Sequence, residues 1–214
     1  MIIKNAIKNQ SYKINFNMDL KKYLNNLIKK YYKVAIITDE NVYKIYKEKI
    51  NIKGLDILRV KPGEKSKSFN VKNSLDEKLL EKKFNRNSLI IGFGGGVVGD
   101  LSGYVAATIL RGIDLVHIPT SLIAIVDSSI GGKTGINSKN GKNLIGSFYN
   151  PREILINSEF IKTLSLKEIR QGLSEIIKYG VIKNEKIFNF LEKSNKVFMQ
   201  NHKKNIDKII KECI

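Results

Sequence analysis

A glycine-rich turn that directly follows a short apolar run is the feature that most restricts the fold of this chain. The run from Ser88 to Phe93 predicts a strand, and a helix is predicted from about Val98 to Leu110. Between them lies Gly94-Gly95-Gly96-Val97-Val98-Gly99-Asp100, which contains the G-x-G-x-x-G spacing of dinucleotide-binding turns. Glycines let a pyrophosphate approach the backbone, and the start of a helix attracts an anion. The alternative is a turn whose glycines only allow a strand and a helix to pack closely.

Short apolar runs alternate with amphipathic stretches along most of the chain. Two alternating runs, Ile2 to Ile7 and Tyr12 to Phe16, predict an opening β-hairpin. Further strands are predicted at Val34 to Thr38, Leu55 to Val60, Leu115 to Ile118 and Ile154 to Ile156, and helices at Asp19 to Lys30, Val42 to Lys49, Asn70 to Lys83 and from Thr120 onward. This order is typical of an α/β fold, in which a Rossmann-like parallel sheet is flanked by helices.

The pattern of elements changes after Thr163. Ser165 and Glu168 have the spacing of a capping box, and the sequence beyond them is helical in pattern to its end. We therefore expect residues 1–163 to form the nucleotide-binding α/β domain. Residues 164–214 are expected to be the first helices of an incomplete α-helical domain.

Composition and the N-terminus favour a soluble protein of the cytoplasm. The longest apolar runs, such as Leu122 to Val126, are far too short to cross a bilayer, so no membrane partner is expected. The N-terminus lacks the pattern of a secretory signal. The single cysteine, Cys213, cannot form an internal disulfide.

The formal charge of +18, from 38 Lys and Arg against 20 Asp and Glu, raises nucleic acid as a partner. The lysines, however, are spread along the whole chain, and only five residues are Arg, the side chain favoured for bidentate phosphate and base contacts. No helix-turn-helix, zinc-finger or RNA-binding motif accompanies the charge. A Lys/Asn/Ile-rich composition explains it more simply, and no nucleic-acid partner is expected.

Two aspartates bear on the type of nucleotide site. In an ordinary Rossmann unit, an acid about twenty residues after the glycines ends the next strand and binds the ribose. Here Asp114 stands at the beginning of that strand, away from the expected crevice, so the plain Rossmann arrangement is not predicted. Asp39, at the end of the strand from Val34 to Thr38, is better placed for a ribose hydroxyl.

A second polar cluster lies between the predicted strands at Leu115 to Ile118 and Ile154 to Ile156. It consists of Asp127-Ser128-Ser129-Ile130-Gly131-Gly132-Lys133-Thr134-Gly135 and Gly141-Lys142-Asn143. Its lysines are suited to phosphate or carboxylate oxygens, and Asp127 is suited to orienting or accepting a hydroxyl proton. A polar hairpin loop without such a role explains the spacing equally well.

Gln171, Glu175 and Lys178 share one face of the C-terminal helical pattern. The simpler interpretation is a surface ion pair, and the alternative is Glu175 as a metal ligand. A catalytic zinc needs about three protein ligands, usually including His. His117 lies in an apolar strand and His202 on a Lys-rich helix, so neither is expected to join Glu175.

Several segments in one order resemble the signature of the 3-dehydroquinate synthases, a family of sugar-phosphate cyclases. They are Pro62-Gly63-Glu64-Lys65-Ser66-Lys67, GGGVVGDLSGYVAATILRG, IPTSLIAIVDSSIGGKTGIN, GKNLIGSFYNP and Gly172-Leu173-Ser174-Glu175-Ile176-Ile177-Lys178-Tyr179-Gly180. The resemblance implies an NAD-dependent, zinc- or cobalt-assisted lyase of the shikimate pathway. Such enzymes convert a phosphorylated keto-acid, 3-deoxy-D-arabino-heptulosonate 7-phosphate, into 3-dehydroquinate and phosphate. NAD is recycled, because a substrate hydroxyl is oxidised transiently and the ketone is reduced again after phosphate leaves.

Position by position, the resemblance implies two binding sets and one metal ligand. The NAD set is Asp39, Asn41, Glu64, Lys67, Gly95, Gly96, Val97, Val98, Gly99, Asp100, Thr120, Ser121, Lys133, Lys142, Phe160 and Thr163. The catalytic and substrate-binding set is Arg111, Asp127, Lys133, Asn143 and Lys178. Ser121 stands where the family most often has Thr, and it keeps the hydroxyl. Glu175 is the implied first metal ligand.

The resemblance also implies residues that this chain lacks. Family members continue into a helical domain that supplies two His metal ligands, and full-length members are expected to be homodimers, whereas this chain ends at Ile214. Because a lone carboxylate cannot hold a catalytic zinc, we expect the 214-residue chain by itself to lack synthase activity, and a measured turnover would contradict this.

Two alternatives remain open. One is a sister sugar-phosphate cyclase, and the other is a truncated NAD-binding remnant without catalysis. The glycerol and alcohol dehydrogenases of the same fold are less compatible, because they lack the SSIGGK and IKYG segments found here.

Overall fold

The structure, a computed structural model, describes residues 1–5, 10–200 and 206–214. Its strands are β1 (Ile2–Asn5), β2 (Gln10–Phe16), β3 (Val34–Asp39), β4 (Leu55–Val60), β5 (Leu89–Gly94), β6 (Asp114–Pro119), β7 (Lys133–Ser138), β8 (Gly141–Phe148) and β9 (Glu153–Ile156). Its α-helices are α1 (Leu20–Lys30), α2 (Glu40–Ile50), α3 (Phe69–Glu81), α4 (Gly96–Thr108), α5 (Leu166–Ile182), α6 (Glu185–Gln200) and α7 (Ile206–Cys213). Short 3₁₀ turns lie at Glu64–Ser66, Ile109–Arg111 and Ser158–Thr163.

The main sheet has the strand order β1-β2-β9-β6-β5-β3-β4. Only β1 is antiparallel to its neighbour, and the pairs from β2 to β4 are all parallel. The predicted α/β class with a Rossmann-like parallel sheet is therefore confirmed. The predicted opening hairpin is confirmed as β1 and β2, although its residues 6–9 lie outside the described residues.

The central strands are apolar on both sides because helices cover both faces of the sheet. Ala35 and Ile37 of β3 belong to a core with α3 and α4, whereas Val34 and Ile36 belong to a core with α1 and α2. All four of these side chains are at most 1% exposed. This alternation between faces is the period of two that a strand imposes on its side chains.

The C-terminal helices close a third core against the edge of the sheet. Ile169 and Ile176 of α5 share this core with Ile14 of β2 and Ile154 of β9. The predicted capping box is confirmed at the start of α5: the Glu168 N–H donates to Ser165 Oγ, and the Ser165 N–H donates to Glu168 Oε2 at 2.8 Å. Among the helices of the described residues, none combines the length and the apolarity that crossing a bilayer requires.

The helix predicted to open at Thr120 is present, but it is short and mostly a π-helix. After a single helical turn the chain forms a π-helix over Ala124–Ser128, in which the Ser129 N–H donates to the Ala124 carbonyl at 3.1 Å. This wider turn inserts one residue compared with an α-helix, and such bulges recur at functional sites. The chain then enters the antiparallel hairpin of β7 and β8, so the second polar cluster begins in the π-helix and continues onto a hairpin.

Candidate active site

The glycine turn joins the carboxyl end of β5 to the first turn of α4. In the described structure, no side chain caps this helix, whose N-cap residue is Gly95. The N–H groups at the start of a helix lack partners within the helix, and such groups can bind an anion. A Cβ on Gly96 would lie 2.9 Å from Ser128 Oγ, and one on Gly94 would lie 2.7 Å from the Val98 side chain. Two of the glycines are therefore required by close packing as well.

Lys67 is a buried cation beside this turn. Its side chain is 4% exposed, and its Nζ donates to Asp100 Oδ2 at 2.6 Å and to Asn143 Oδ1. Glu64 Oε1 lies 4.0 Å from the same ammonium. Burial of a charge requires such partners. Burial raises the pKa of the Asp100 carboxyl above its usual range, while the bond to Lys67 acts in the opposite direction.

A cleft of about 480 Å³ opens next to this cluster. Four residues predicted from the sequence line it: Asp100, Asp127, Lys133 and Asn143. They come from α4, the π-helix, β7 and β8, which meet at the carboxyl end of the parallel strands. Ligands of open α/β sheets bind at this edge. The cleft also has apolar walls, which include Leu144 and Phe148.

Asp127, which lines this cleft, accepts a hydrogen bond from Tyr179, a residue outside the set predicted from the sequence. The Tyr179 hydroxyl lies 3.3 Å from both Asp127 Oδ1 and the Val126 carbonyl, and it donates toward them. Burial and the Asp127 carboxylate raise the pKa of Tyr179 to about 12. The only sequence signal for this role is that Tyr179 directly follows Lys178 in a matched segment.

Glu175 and Lys178 form the ion pair that the simpler interpretation expected. Lys178 Nζ lies 2.7 Å from Glu175 Oε2, at positions i and i+3 of α5. The hydrogen bond to Glu175 raises the pKa of Lys178, and the charge of Asp127 adds to this. Across the described part of the chain there is no group of three or more His, Cys, Asp or Glu side chains that could hold a metal ion. The described residues therefore do not fit a catalytic zinc or cobalt.

Other predicted residues lie apart from the cleft. Arg111, at the end of the 3₁₀ turn after α4, and Lys142, at the start of β8, are exposed or nearly so and do not contribute to its lining. Asp114 begins β6 and binds Arg152 Nε at 2.8 Å, far from the carboxyl end of the sheet. Its placement agrees with the expectation that it is not the ribose-binding acid.

Four further residues of the predicted NAD set lie at or just after the ends of two strands of the sheet: Asp39 ends β3 and Asn41 follows it, and Phe160 and Thr163 follow β9. Asp39 caps α2, since its Oδ1 accepts from the backbone N–H of Asn41 at 2.8 Å. Thr163 Oγ1 lies 2.8 Å from the Tyr46 hydroxyl. Phe160 is 1% exposed and packs edge-on against Tyr46, so the structure places it in the core and not on an open surface.

Thr120 and Ser121 connect β6 to the glycine turn. The Thr120 N–H donates to the Gly94 carbonyl at 2.9 Å, and its side chain is buried. Ser121 Oγ accepts from the Ala124 N–H at 3.3 Å and would lie 3.3 Å from a Cβ placed on Gly95. The segment therefore lies directly against the turn, as a cofactor contact there requires.

Comparison with known proteins identifies the family. The model of the 3-dehydroquinate synthase N-terminal domain matches residues 57–171, which is more than half of the chain. The chain belongs to the 3-dehydroquinate synthase family. A 3-dehydroquinate synthase of Dictyoglomus thermophilum is 45% identical over 97% of this chain, and the aligned part is 59% of that relative's length. One from Clostridium perfringens is 51% identical over 74% of this chain and 45% of its own length. The chain thus spans about half to three fifths of the 3-dehydroquinate synthases that it matches.

Solved structures confirm the fold expected of a 3-dehydroquinate synthase. A 2-epi-5-epi-valiolone synthase from Streptomyces hygroscopicus subsp. jinggangensis, with NAD⁺ and Zn²⁺ bound, superimposes with a TM-score of 0.87. It is 24% identical, over 98% of this chain and 61% of that one. At this identity the comparison shows that the chain shares the fold of the cyclases.

Proposed function

We propose that the chain is the nucleotide-binding part of a 3-dehydroquinate synthase, a phosphate-eliminating carbon–oxygen lyase. The reaction is the NAD-dependent conversion of 3-deoxy-D-arabino-heptulosonate 7-phosphate into 3-dehydroquinate. The observation that carries the proposal is the cleft in which Asp100, Asp127, Lys133 and Asn143 meet beside the uncapped start of α4. The proposal is supported because a helix start without a side-chain cap lies beside a set of charged and amide side chains.

The turn fits a dinucleotide. The first N–H groups of α4 have no side-chain cap in the described structure, and the space at Gly95 is open apart from Ser121 Oγ at 3.3 Å from an added Cβ. Gly95 to Asp100 would hold the pyrophosphate, with Thr120 and Ser121 beside it, and Asp39 and Asn41 would contact the ribose. When bound, NAD would supply the transient hydride acceptor of the reaction.

The chain's own residues would orient the substrate in the cleft. Lys133 brings a positive charge for the anionic groups of a phosphorylated keto-acid, and Asn143 brings an amide. Asp127, oriented by the Tyr179 hydroxyl, would accept or hold a proton of a substrate hydroxyl. Arg111, Lys142, Lys178 and Thr163 belong to the same proposal on the strength of the matched family segments.

The described residues do not fit a catalytic metal ion. Glu175 is a single carboxylate and is paired with Lys178 at 2.7 Å. No step of the proposal depends on a metal held by these residues. Activity of the family type would require ligands beyond Glu175.

Similar proteins support the substrate class. A 2-deoxy-scyllo-inosose synthase was solved with carbaglucose-6-phosphate, NAD⁺ and Co²⁺, and superimposes with a TM-score of 0.73 at 24% identity over 83% of this chain and 51% of that one. The sister-cyclase alternative is weaker, because the named 3-dehydroquinate synthases are 45 to 51% identical. A small phosphorylated substrate, a cytoplasmic location and a homodimer at full length complete the proposal.

Calorimetric titration with NAD tests it. We expect the wild-type chain to bind NAD and Gly95→Ala to bind it about tenfold more weakly, which corresponds to about 1.4 kcal/mol. The added methyl has only Ser121 Oγ within tight range, so the fold tolerates it, but it stands where the backbone should meet the pyrophosphate.

The matched control is Thr108→Ala, at the opposite end of the same helix. The Thr108 hydroxyl donates to the Tyr104 carbonyl, and it lies about 18 Å along the axis from the turn. NAD affinity should be unchanged in this variant. Absence of NAD binding by the wild-type chain, or equal affinity of Gly95→Ala with an unchanged melting temperature, would contradict the proposal.

A further inference from the structure

Asn137 in β7 connects three segments around the cleft. Its side-chain Nδ2 donates to Glu64 Oε1 at 2.8 Å. Its Oδ1 accepts from the Asn143 backbone N–H at 2.9 Å. Its own backbone N–H donates to the Lys67 carbonyl at 2.8 Å. One residue thus ties the turn at Glu64–Ser66 to both strands of the β7–β8 hairpin.

The backbone irregularity at Asn137 makes these contacts possible. The register of β7 against β8 shifts between Ile136 and Ser138, so Asn137 stands at a bulge. A residue in a bulge leaves the regular ladder, and bulges redirect side chains near functional sites. The freed N–H reaches Lys67, and the side chain turns toward Glu64 and Asn143.

The Asn143 backbone is in a conformation that its hydrogen bonds help to hold. Its φ is 57°, in the left-handed region that few non-glycine residues occupy. The bond from its N–H to Asn137 holds this conformation, and its Oδ1 then accepts from Lys67 Nζ. The direction of the Asn143 amide at the cleft therefore depends on Asn137.

We propose that Asn137 is a positioning residue that holds Asn143 and Glu64 in one arrangement, and so couples the substrate side of the cleft to its cofactor side. The assignment of one side to the substrate and of the other to the cofactor rests on the function proposed above. The carboxamide of Asn137 offers a donor to the Glu64 carboxylate and, from its other atom, an acceptor to the Asn143 N–H. Asn137→Asp keeps the acceptor and loses the donor, whereas Asn137→Ala loses both.

Amide hydrogen exchange of the full chain, followed residue by residue with ¹⁵N NMR, tests the hydrogen bond from the Asn143 N–H to Asn137 Oδ1. In Asn137→Ala, the Asn143 amide should exchange about tenfold faster than in the wild type, because it loses its acceptor. In Asn137→Asp, its exchange should stay within about twofold of the wild type. A general loss of stability would affect both variants and many amides, so the difference between the variants reports the positioning itself.

NAD titration of the same variants tests the hydrogen bond from Asn137 Nδ2 to Glu64 Oε1. Both variants lose the bond to Glu64, and both should bind NAD about fivefold more weakly or worse. The aspartate adds a negative charge next to Glu64 and should have the larger effect. Asn140→Ala is the matched control, since Asn140 lies in the turn of the same hairpin with an exposed side chain. It should leave both measurements unchanged.

The outcomes separate this inference from the proposed function. Unchanged exchange of the Asn143 amide in Asn137→Ala overturns the inference, and so does equally fast exchange in Asn137→Asp. If the wild-type chain binds no NAD, the proposed function fails, and the exchange measurements still decide whether Asn137 holds Asn143. Weakened NAD binding in both variants together with the predicted exchange pattern supports both.

Discussion

Among single residues, His117 is a buried polar group that lies near the glycine turn. It is 4% exposed on β6, and its ring would be 3.9 Å from a Cβ placed on Gly99 of α4. Its Nδ1 has no hydrogen-bond partner among the described residues. Burial lowers the pKa of His117 to about 4, so the ring is neutral at physiological pH. The apolar strand predicted around it agrees with this, since a charged imidazole there would be poorly solvated.

The buried histidine makes stability depend on pH. In the unfolded chain the pKa returns to about 6.5, so the unfolded state binds more protons between pH 6.5 and pH 4. Above pH 6.5 His117 is neutral in both states and its contribution to stability is fully present. As the pH drops from 6.5 to 4, the free energy of unfolding should fall by up to about 3 kcal/mol. His117→Leu should remove this part of the slope in urea unfolding measured at several pH values.

Thr38→Val is the control for this prediction. Thr38 is also fully buried, and its Oγ1 is without a partner in the described structure, but it does not titrate. The pH dependence of this variant should match that of the wild type. Identical pH slopes for wild type and His117→Leu would show that His117 does not carry the effect.

Among the elements, α5 shows how one glycine sets the position of a helix. Gly172 is buried against Leu122, and an added Cβ would lie 2.5 Å from the Leu122 Cβ. The helix can therefore approach the segment before Asp127 closely enough for Tyr179 to reach that carboxylate. The helical pattern and the capping box of α5 were predictable, because both depend on neighbouring residues. The close approach at Gly172 was not, because Leu122 is distant in sequence.

Gly172→Ala should destabilise the protein despite the higher helix propensity of alanine. The propensity gain is at most about 1 kcal/mol, whereas overpacking against Leu122 costs about 1 to 3 kcal/mol. The free energy of unfolding in urea should fall accordingly. Ser174→Ala, on an exposed position of the same helix, should change it by less than about 0.5 kcal/mol. A more stable Gly172→Ala variant would show that the helix can move away from Leu122.

In the whole molecule, the sheet and the C-terminal helices share one apolar core. Ile14, Leu122 and Ile154 on the sheet side meet Ile169 and Ile176 of α5. The domain boundary near Thr163 stays a prediction. Because the core is shared across it, we expect the stability of residues 1–163 to depend strongly on residues 164–214. Each such side chain contributes about 1.5 to 3 kcal/mol when it is fully buried.

Residues 1–163 alone should therefore be less stable than the full chain. Removal of the later helices exposes the apolar surface around Leu122 and Ile154, which should lower the melting temperature and increase binding of a hydrophobic dye. The full chain with Ile176→Ala, which removes one buried side chain from the same core, should lie between the two. An equal melting temperature and a monomeric state of residues 1–163 would instead support an independent domain.

The sequence by itself determined the alternation of strands and helices, the glycine turn and the matched family segments. These depend on hydrophobic period, on caps and on glycine, which act between residues close along the chain. Only the tertiary structure decided which polar side chains meet. Asn137 reaches Glu64 across 73 positions and Tyr179 reaches Asp127 across 52, because strand order and packing bring them together. The same packing leaves Arg111 and Lys142 outside the cleft lining and leaves Glu175 paired with Lys178, since side-chain direction depends on the whole fold.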